Sequence, residues 1–254
     1  MSQVCLTENT DRKLSIPYQM YLPNQQHKLA NSGEVVDNKF EHEFEYKINQ
    51  YGFRYEEPTT TDVLLSVGCS ITFGTGIPYE KTFSYLVSKK LGLGNVNVGL
   101  PGTGPEVQCV NAIWAINKYA PKAVIFYMSD TNRRILADEH SVLNFVPGYM
   151  NHVFPSERDK KAYMQMDITF NYTRIVQTAY QLYAVVELCR EKNIPIYFKC
   201  WETFSHEQLM KYEFTKHTRP LSDINDLDRA RDLMHQGIKS HDEYSQRILN
   251  AIKI

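Results

Sequence analysis

The chain has 254 residues, 43% of them hydrophobic, and its 28 Lys and Arg nearly balance 29 Asp and Glu, leaving a net charge of −1. That size and apolar content suffice for one core with extensions, while so balanced a charge, with no Lys/Arg block, gives no field for nucleic acid or an anionic membrane. Cys5, Cys69, Cys109, Cys189 and Cys200 are scattered singly, which suits neither a disulfide framework nor a zinc knuckle.

No stretch approaches the roughly 20 apolar residues of a membrane span. The polar start, "MSQVCLTENTDRK", lacks the apolar centre of a secretory signal. The expectation is a soluble, cytoplasmic protein.

Residues 1–60 read as an irregular N-terminal arm. It ends in "EYKINQYGFRYEEP", where alternating aromatics suggest a short strand and a turn. From residue 61 the pattern changes. "DVLLSVG" is an apolar run bounded by a turn signal, as for a strand buried on both faces. "YEKTFSYLVSKKLGLG" carries Phe83, Leu86, Val87 and Leu91 near helical spacing, with a Gly stop. "NVNVGL" reads as a second strand. "GPEVQCVNAIWAINKYA" reads as a helix that opens on Pro and turns Val107, Val110, Ile113 and Ile116 to one face. "KAVIFYM" is a third strand.

Residues 131–170 form an inserted loop without a clean period, long enough to suggest a lid. Its aromatics Phe145, Tyr149, Phe154 and Tyr163 either line an acyl or sugar pocket or make a satellite core. A long amphipathic helix, "NYTRIVQTAYQLYAVVELCREKN", and a fourth strand, "IPIYFKCW", follow. The chain then runs through a polar stretch and closes with helical "LDRARDLM" and "HDEYSQRILNAIKI". Strands alternating with helices imply a parallel sheet covered on both faces. Ligands of such sheets bind beyond the carboxyl ends of the strands, which here carry "GCSITFGTG", "GLPGTGP" and "SDTNRR".

In the first of these, Gly68 and Gly74 allow a sharp strand-to-helix turn that presents Ser70. On these residues alone Ser70 is either a turn cap or a nucleophile, and a serine nucleophile needs a base steadied by a carboxylate. Far along the chain, "RDLMHQG" places Asp232 three residues before His235, close enough on a helical turn for one to steady the other.

Taken in order, "GCSITFG", "NVGLPGTG", "SDTNRR" and "DLMHQG", preceded by "INQYGFRYEE", resemble the SGNH hydrolases, the GDSL-type esterase and lipase superfamily. The resemblance covers residues 48–135 and 228–250. It implies a flavodoxin-like three-layer α/β/α sandwich around a central parallel sheet, over residues 61–254. It also implies Ser70 as nucleophile, His235 as general base and Asp232 as its orienting acid. The oxyanion donors would be the Ser70 and Gly102 N–H groups and the Asn132 side chain. No cofactor or metal is implied, and the partner is a small-molecule or carbohydrate ester.

Two departures stand out. Cys69 replaces the usual acid of the first block, and a thiol there attacks only with a lowered pKa and access to His235. In the third block an ungapped alignment puts Ser129 on the family's Gly and Thr131 on its Asn. Either the Thr131 hydroxyl donates, or a one-residue bulge brings the favoured Asn132 amide into place. Arg133 and Arg134 beside it bind an anionic part of a substrate or pair with surface acids.

Other motifs carry less. "GLPGTG" lacks the spacing of a nucleotide loop. "DINDLD" at 223–228 lacks a calcium loop's Gly and terminal Glu, and reads as a turn and helix cap. His241, six residues after His235, does not have the spacing of a helical metal pair and reads as a local packing or capping residue. The expected activity is ester hydrolysis through an acyl-enzyme. An acyltransferase with the same triad, and an inactive binding or structural protein of the same fold, are the alternatives.

Overall fold

The structure, a computed structural model, describes residues 26–28, 44–137, 142–145 and 157–252. Five parallel strands form the central sheet: β3 (Val63–Gly68), β4 (Gly94–Asn97), β5 (Ala123–Met128), β8 (Ile196–Cys200) and β9 (Thr218–Pro220), in the spatial order β4-β3-β5-β8-β9. With strands counted in their order along the chain, this is 2-1-3-4-5, the order of flavodoxin-like sheets. The α/β architecture expected from the sequence is therefore observed.

Alternation along the strands assigns the two faces. Leu65, Val67, Val124, Phe126 and Phe198 point to one side, against α3 (Pro105–Tyr119) and α4 (Glu157–Glu191). Leu64, Ala123, Ile125, Tyr127 and Tyr197 point to the other, against α2 (Phe83–Leu91) and α6 (Ile238–Ala251). Gly92 ends α2 in the left-handed conformation at φ 70°, as its Gly stop suggests.

Several local expectations are corrected. Val110 is 44% exposed, and α3 instead buries Val107, Cys109, Ala112, Ala115 and Ile116. The aperiodic stretch contains an antiparallel hairpin, β6 (Arg134–Ala137) with β7 (Val142–Phe145), and the first two turns and more of α4. Tyr149 and Phe154 lie outside the described residues, as do the side chains of Phe145, Tyr163 and Arg134. The polar stretch after β8 yields α5 (Thr203–Leu209) and the edge strand β9. "LDRARDLM" is not helical: residues 228–236 make turns closed by a bridge between Arg229 and Gln236.

Before the sheet, β1 (Gln26–Lys28) pairs antiparallel with β2 (Glu45–Lys47). The "NQYGFR" segment then folds as a side-chain-directed turn. Asn49 Oδ1 accepts from the Tyr51 and Phe53 N–H groups, and Gly52 takes φ 83°. Phe53 and Tyr55 enter the same core as α3, where Phe53 lies 5.6 Å from the Trp114 ring.

Candidate active site

Ser70 opens the short helix α1 (Ser70–Phe73) at the carboxyl end of β3 and is 4% exposed. The turn is tight enough to require glycine before it. A Cβ on Gly68 would stand 2.2 Å from Thr72 Oγ1 and 2.4 Å from the Tyr127 carbonyl oxygen. Gly74 caps the helix in the left-handed region at φ 79°. Cys69 is 1% exposed, and its sulfur is 3.8 Å from Ser70 Oγ. Adjacent to the hydroxyl and shut off from solvent, this thiol lacks the exposed electropositive setting of a reactive cysteine.

Asp232 and His235 meet, though by a route the sequence does not suggest. They belong to a turn, not a helix, with Leu233 left-handed at φ 57°. Asp232 Oδ1 accepts from the Met234 and His235 backbone N–H groups at 3.1 and 3.0 Å, while Asp232 Oδ2 lies 2.5 Å from His235 Nδ1. Burial raises the Asp232 pKa. The hydrogen bonds and charge of His235, with the backbone donors, outweigh it and hold the carboxyl below its usual range. An ionised Asp232 fixes the proton on Nδ1, which leaves Nε2 as the basic nitrogen.

This turn is docked on the loop that follows Ser70. Gly76, at φ 79°, accepts from the Arg231 N–H at 3.0 Å, and a Cβ on it would come within 2.7 Å of Ala230 Cβ and 3.3 Å of Asp232 Oδ1. No hydrogen bond joins Ser70 to His235 among the described residues.

The other two strand-end loops are tied to the first. Leu100 N–H donates to the Gly68 carbonyl at 3.2 Å, and a Cβ on Gly99 would stand 2.6 Å from the Phe73 nitrogen. Gly102 follows at φ 73°. No backbone carbonyl among the described residues accepts from the Ser70 or Gly102 N–H. Beside them, Gln108 Nε2 donates to Thr103 O and to Ser129 Oγ, both at 2.9 Å, and Ser129 Oγ donates to Thr103 O at 3.0 Å. A Cβ on Gly104 would lie 2.3 Å from the Arg133 carbonyl oxygen.

In the third loop, Thr131 Oγ1 is paired with Ser205 Oγ at 2.9 Å. Asn132 N–H donates to Asp130 Oδ1 at 2.7 Å, and its Oδ1 has no partner among the described residues. The backbone leaves β5 by a turn after Met128 rather than by a bulge within the strand. A cavity of about 140 Å³ adjoins this loop, lined by Thr131, Asn132, Ile175, Glu202, Phe204 and Ser205. Arg133 pairs with Asp130 at 3.5 Å and stacks 4.6 Å over the Trp201 ring.

The remaining signals are structural in this fold. Asp228, from "DINDLD", accepts from the Lys239 and Ser240 N–H groups at the start of α6. His241 is 1% exposed and its Nδ1 accepts from Phe83 N–H at 3.1 Å, so it caps α2 across the chain rather than a local segment. Sequence reasoning passed over Tyr46, Arg54 and Gly76. For Arg54 the only signal was the "GFR" preamble, and for Tyr46 only the alternating aromatics of "EYKINQYGFRYEEP".

No protein-family model and no curated protein sequence matches the chain. Among solved structures it is similar to TesA, with a TM-score of 0.49 and 12% identity over 76% of this chain and 98% of that one. It is similar also to a G-D-S-L-family lipolytic protein from Desulfitobacterium hafniense, with a TM-score of 0.47 and 12% identity over 76% and 100% of the two chains. A third is the acetyl xylan esterase Est2A from Butyrivibrio proteoclasticus, with a TM-score of 0.48 and 11% identity over 77% of this chain and 64% of that one.

Proposed function

We propose that this chain is a serine esterase of the SGNH type, acting on small O-acyl esters, O-acetylated carbohydrates among them. The observation that carries the reading is the Asp232–His235 pair, bonded at 2.5 Å and seated on the loop that follows Ser70. Ser70 Oγ attacks the ester carbonyl as His235 Nε2 takes its proton, and Asp232 steadies the imidazolium. The Ser70 and Gly102 N–H groups and the Asn132 side chain receive the tetrahedral oxyanion. One such donor is commonly worth about 3 kcal/mol. Collapse passes the proton from His235 to the departing alcohol, and water then releases the acyl group by the reverse sequence.

Labelling the purified chain with a fluorophosphonate and locating the adduct by peptide mass spectrometry tests this. A stoichiometric adduct on Ser70, lost in His235→Ala, is expected. A folded protein that takes no adduct would favour the inactive alternative. Transfer to added alcohols in preference to water would favour the acyltransferase.

A further inference from the structure

The segment before the sheet reaches directly into the nucleophile loop. Arg54 is 1% exposed, and its guanidinium donates to three carbonyl oxygens of that loop: Phe73 at 3.2 Å, Gly74 at 2.6 Å and Ile77 at 2.7 Å. The same guanidinium lies 4.3 Å over the ring of Tyr46, and the Tyr46 hydroxyl accepts from Gly76 N–H at 2.7 Å. Between them the two side chains hold four of the five residues from Phe73 to Ile77. Phe73 and Gly74 are held through carbonyls at the end of α1 and Ile77 through a carbonyl of the loop beyond it, and a cation satisfies such carbonyls well.

The opposite side of this loop carries the acid–base pair. Gly76 O accepts from Arg231 N–H, and Gly76 packs against Ala230 and Asp232. We propose that Tyr46 and Arg54 are positioning residues that fix the Asp232–His235 turn relative to Ser70, acting through Gly76. The assignment rests on the serine-esterase reading for its catalytic consequence, but not for its geometry. Tyr46 makes the specific link, because its hydroxyl accepts from the N–H of the same residue whose carbonyl receives the turn. Arg54 supplies the rigid base, since one planar group bonded to three carbonyls resists displacement in several directions at once.

The test uses the full chain, p-nitrophenyl acetate as substrate and a fluorophosphonate as probe. Tyr46→Phe removes one oxygen and keeps the ring on Phe73, which it meets at 5.0 Å, and beneath Arg54. Its kcat should fall about 10- to 100-fold with KM little changed, the expected scale for a displacement near 1 Å. Labelling of Ser70 should slow in parallel. Hydrogen exchange should quicken at the Met234 and His235 amides, both bonded to Asp232, with no general loss of protection.

Ile48→Val loosens the same small cluster without touching the loop's hydrogen bonds, and should change none of these. In a double-mutant cycle with Asp232→Asn, the two losses in kcat should be strongly sub-additive. Wild-type exchange and labelling in Tyr46→Phe would overturn the proposal, as would equal effects from Ile48→Val. If wild type itself takes no probe, the esterase reading fails, while exchange at Met234 and His235 still decides the positioning role. Should Tyr46→Phe unfold, Arg54→Lys supplies the same comparison, with the same exchange response required.

Discussion

Gly76 approaches Ala230 so closely that a Cβ on it would stand 2.7 Å from the Ala230 Cβ. That gap is where the loop after Ser70 meets the turn bearing Asp232 and His235. Gly76→Ala therefore strains φ 79° and separates the two loops together. The expected result is a loss of about 1–3 kcal/mol in stability with a disproportionate drop in kcat/KM, on the order of 100-fold. Denaturant titration alongside ester turnover measures both. A stability loss with kcat/KM intact would detach this contact from catalysis.

Asp232→Asn tests the tautomer. The substitution keeps the size of the side chain but lets an amide face His235 Nδ1, favouring the imidazole whose Nε2 is protonated. Turnover should fall by roughly 10³- to 10⁴-fold, as when the equivalent acid of a serine triad is neutralised. Initial rates at neutral pH suffice to check it, with the fluorophosphonate adduct slowing in step.

Kinetics can separate Asn132, the third oxyanion donor proposed above, from its neighbour Thr131. Thr131 Oγ1 already pairs with Ser205 Oγ, whereas the Asn132 Nδ2 amide, the group that would donate, makes no hydrogen bond among the described residues. Asn132→Ala should cost roughly 10²- to 10³-fold in kcat. Thr131→Val should cost about 1 kcal/mol of stability with little change in rate. The reverse ranking in steady-state kinetics would exchange their roles.

His241 makes a prediction about pH and stability. Burial is the chief cause of its pKa falling to about 3, with repulsion from Arg54 and His235 adding and Asp228 opposing. The neutral ring is the folded form. Its contribution is fully present above the unfolded pKa of about 6.5 and is lost as pH falls towards 3, by about 1.4 kcal/mol per unit. Asp232, whose pKa is lowered, adds a loss only below the usual carboxylate range. His241→Asn should weaken the protein at pH 7 but flatten the slope between pH 6 and 4, as followed by urea unfolding. An unchanged slope would remove His241 as its source.

How far the sequence reveals this molecule depends on which interactions are local. The buried runs "VLLSVG" and "AVIFYM" have no alternation because both faces of their strands are covered, so the parallel sheet can be read directly. β9 cannot, since its three residues, with Arg219 and Pro220 exposed, gain strand geometry from pairing with β8 and not from any pattern of their own. The pair Asp232 and His235 stands out by spacing, yet the left-handed Leu233 between them leaves no composition signal and makes the segment look helical. Arg54 is harder still: a cation chosen for carbonyls some 20 positions away is invisible until the chain has folded.

The outermost strand of the sheet has a consequence for association. β9 ends on Pro220, which has no N–H to offer, and the long charged Arg219 precedes it. A neighbouring molecule that tried to extend the sheet there would find a ledge three residues long, missing a donor and bearing a cation. Such a border discourages edge-to-edge stacking by its own chemistry. The same three residues that complete the sheet therefore also guard one margin of it against unwanted growth.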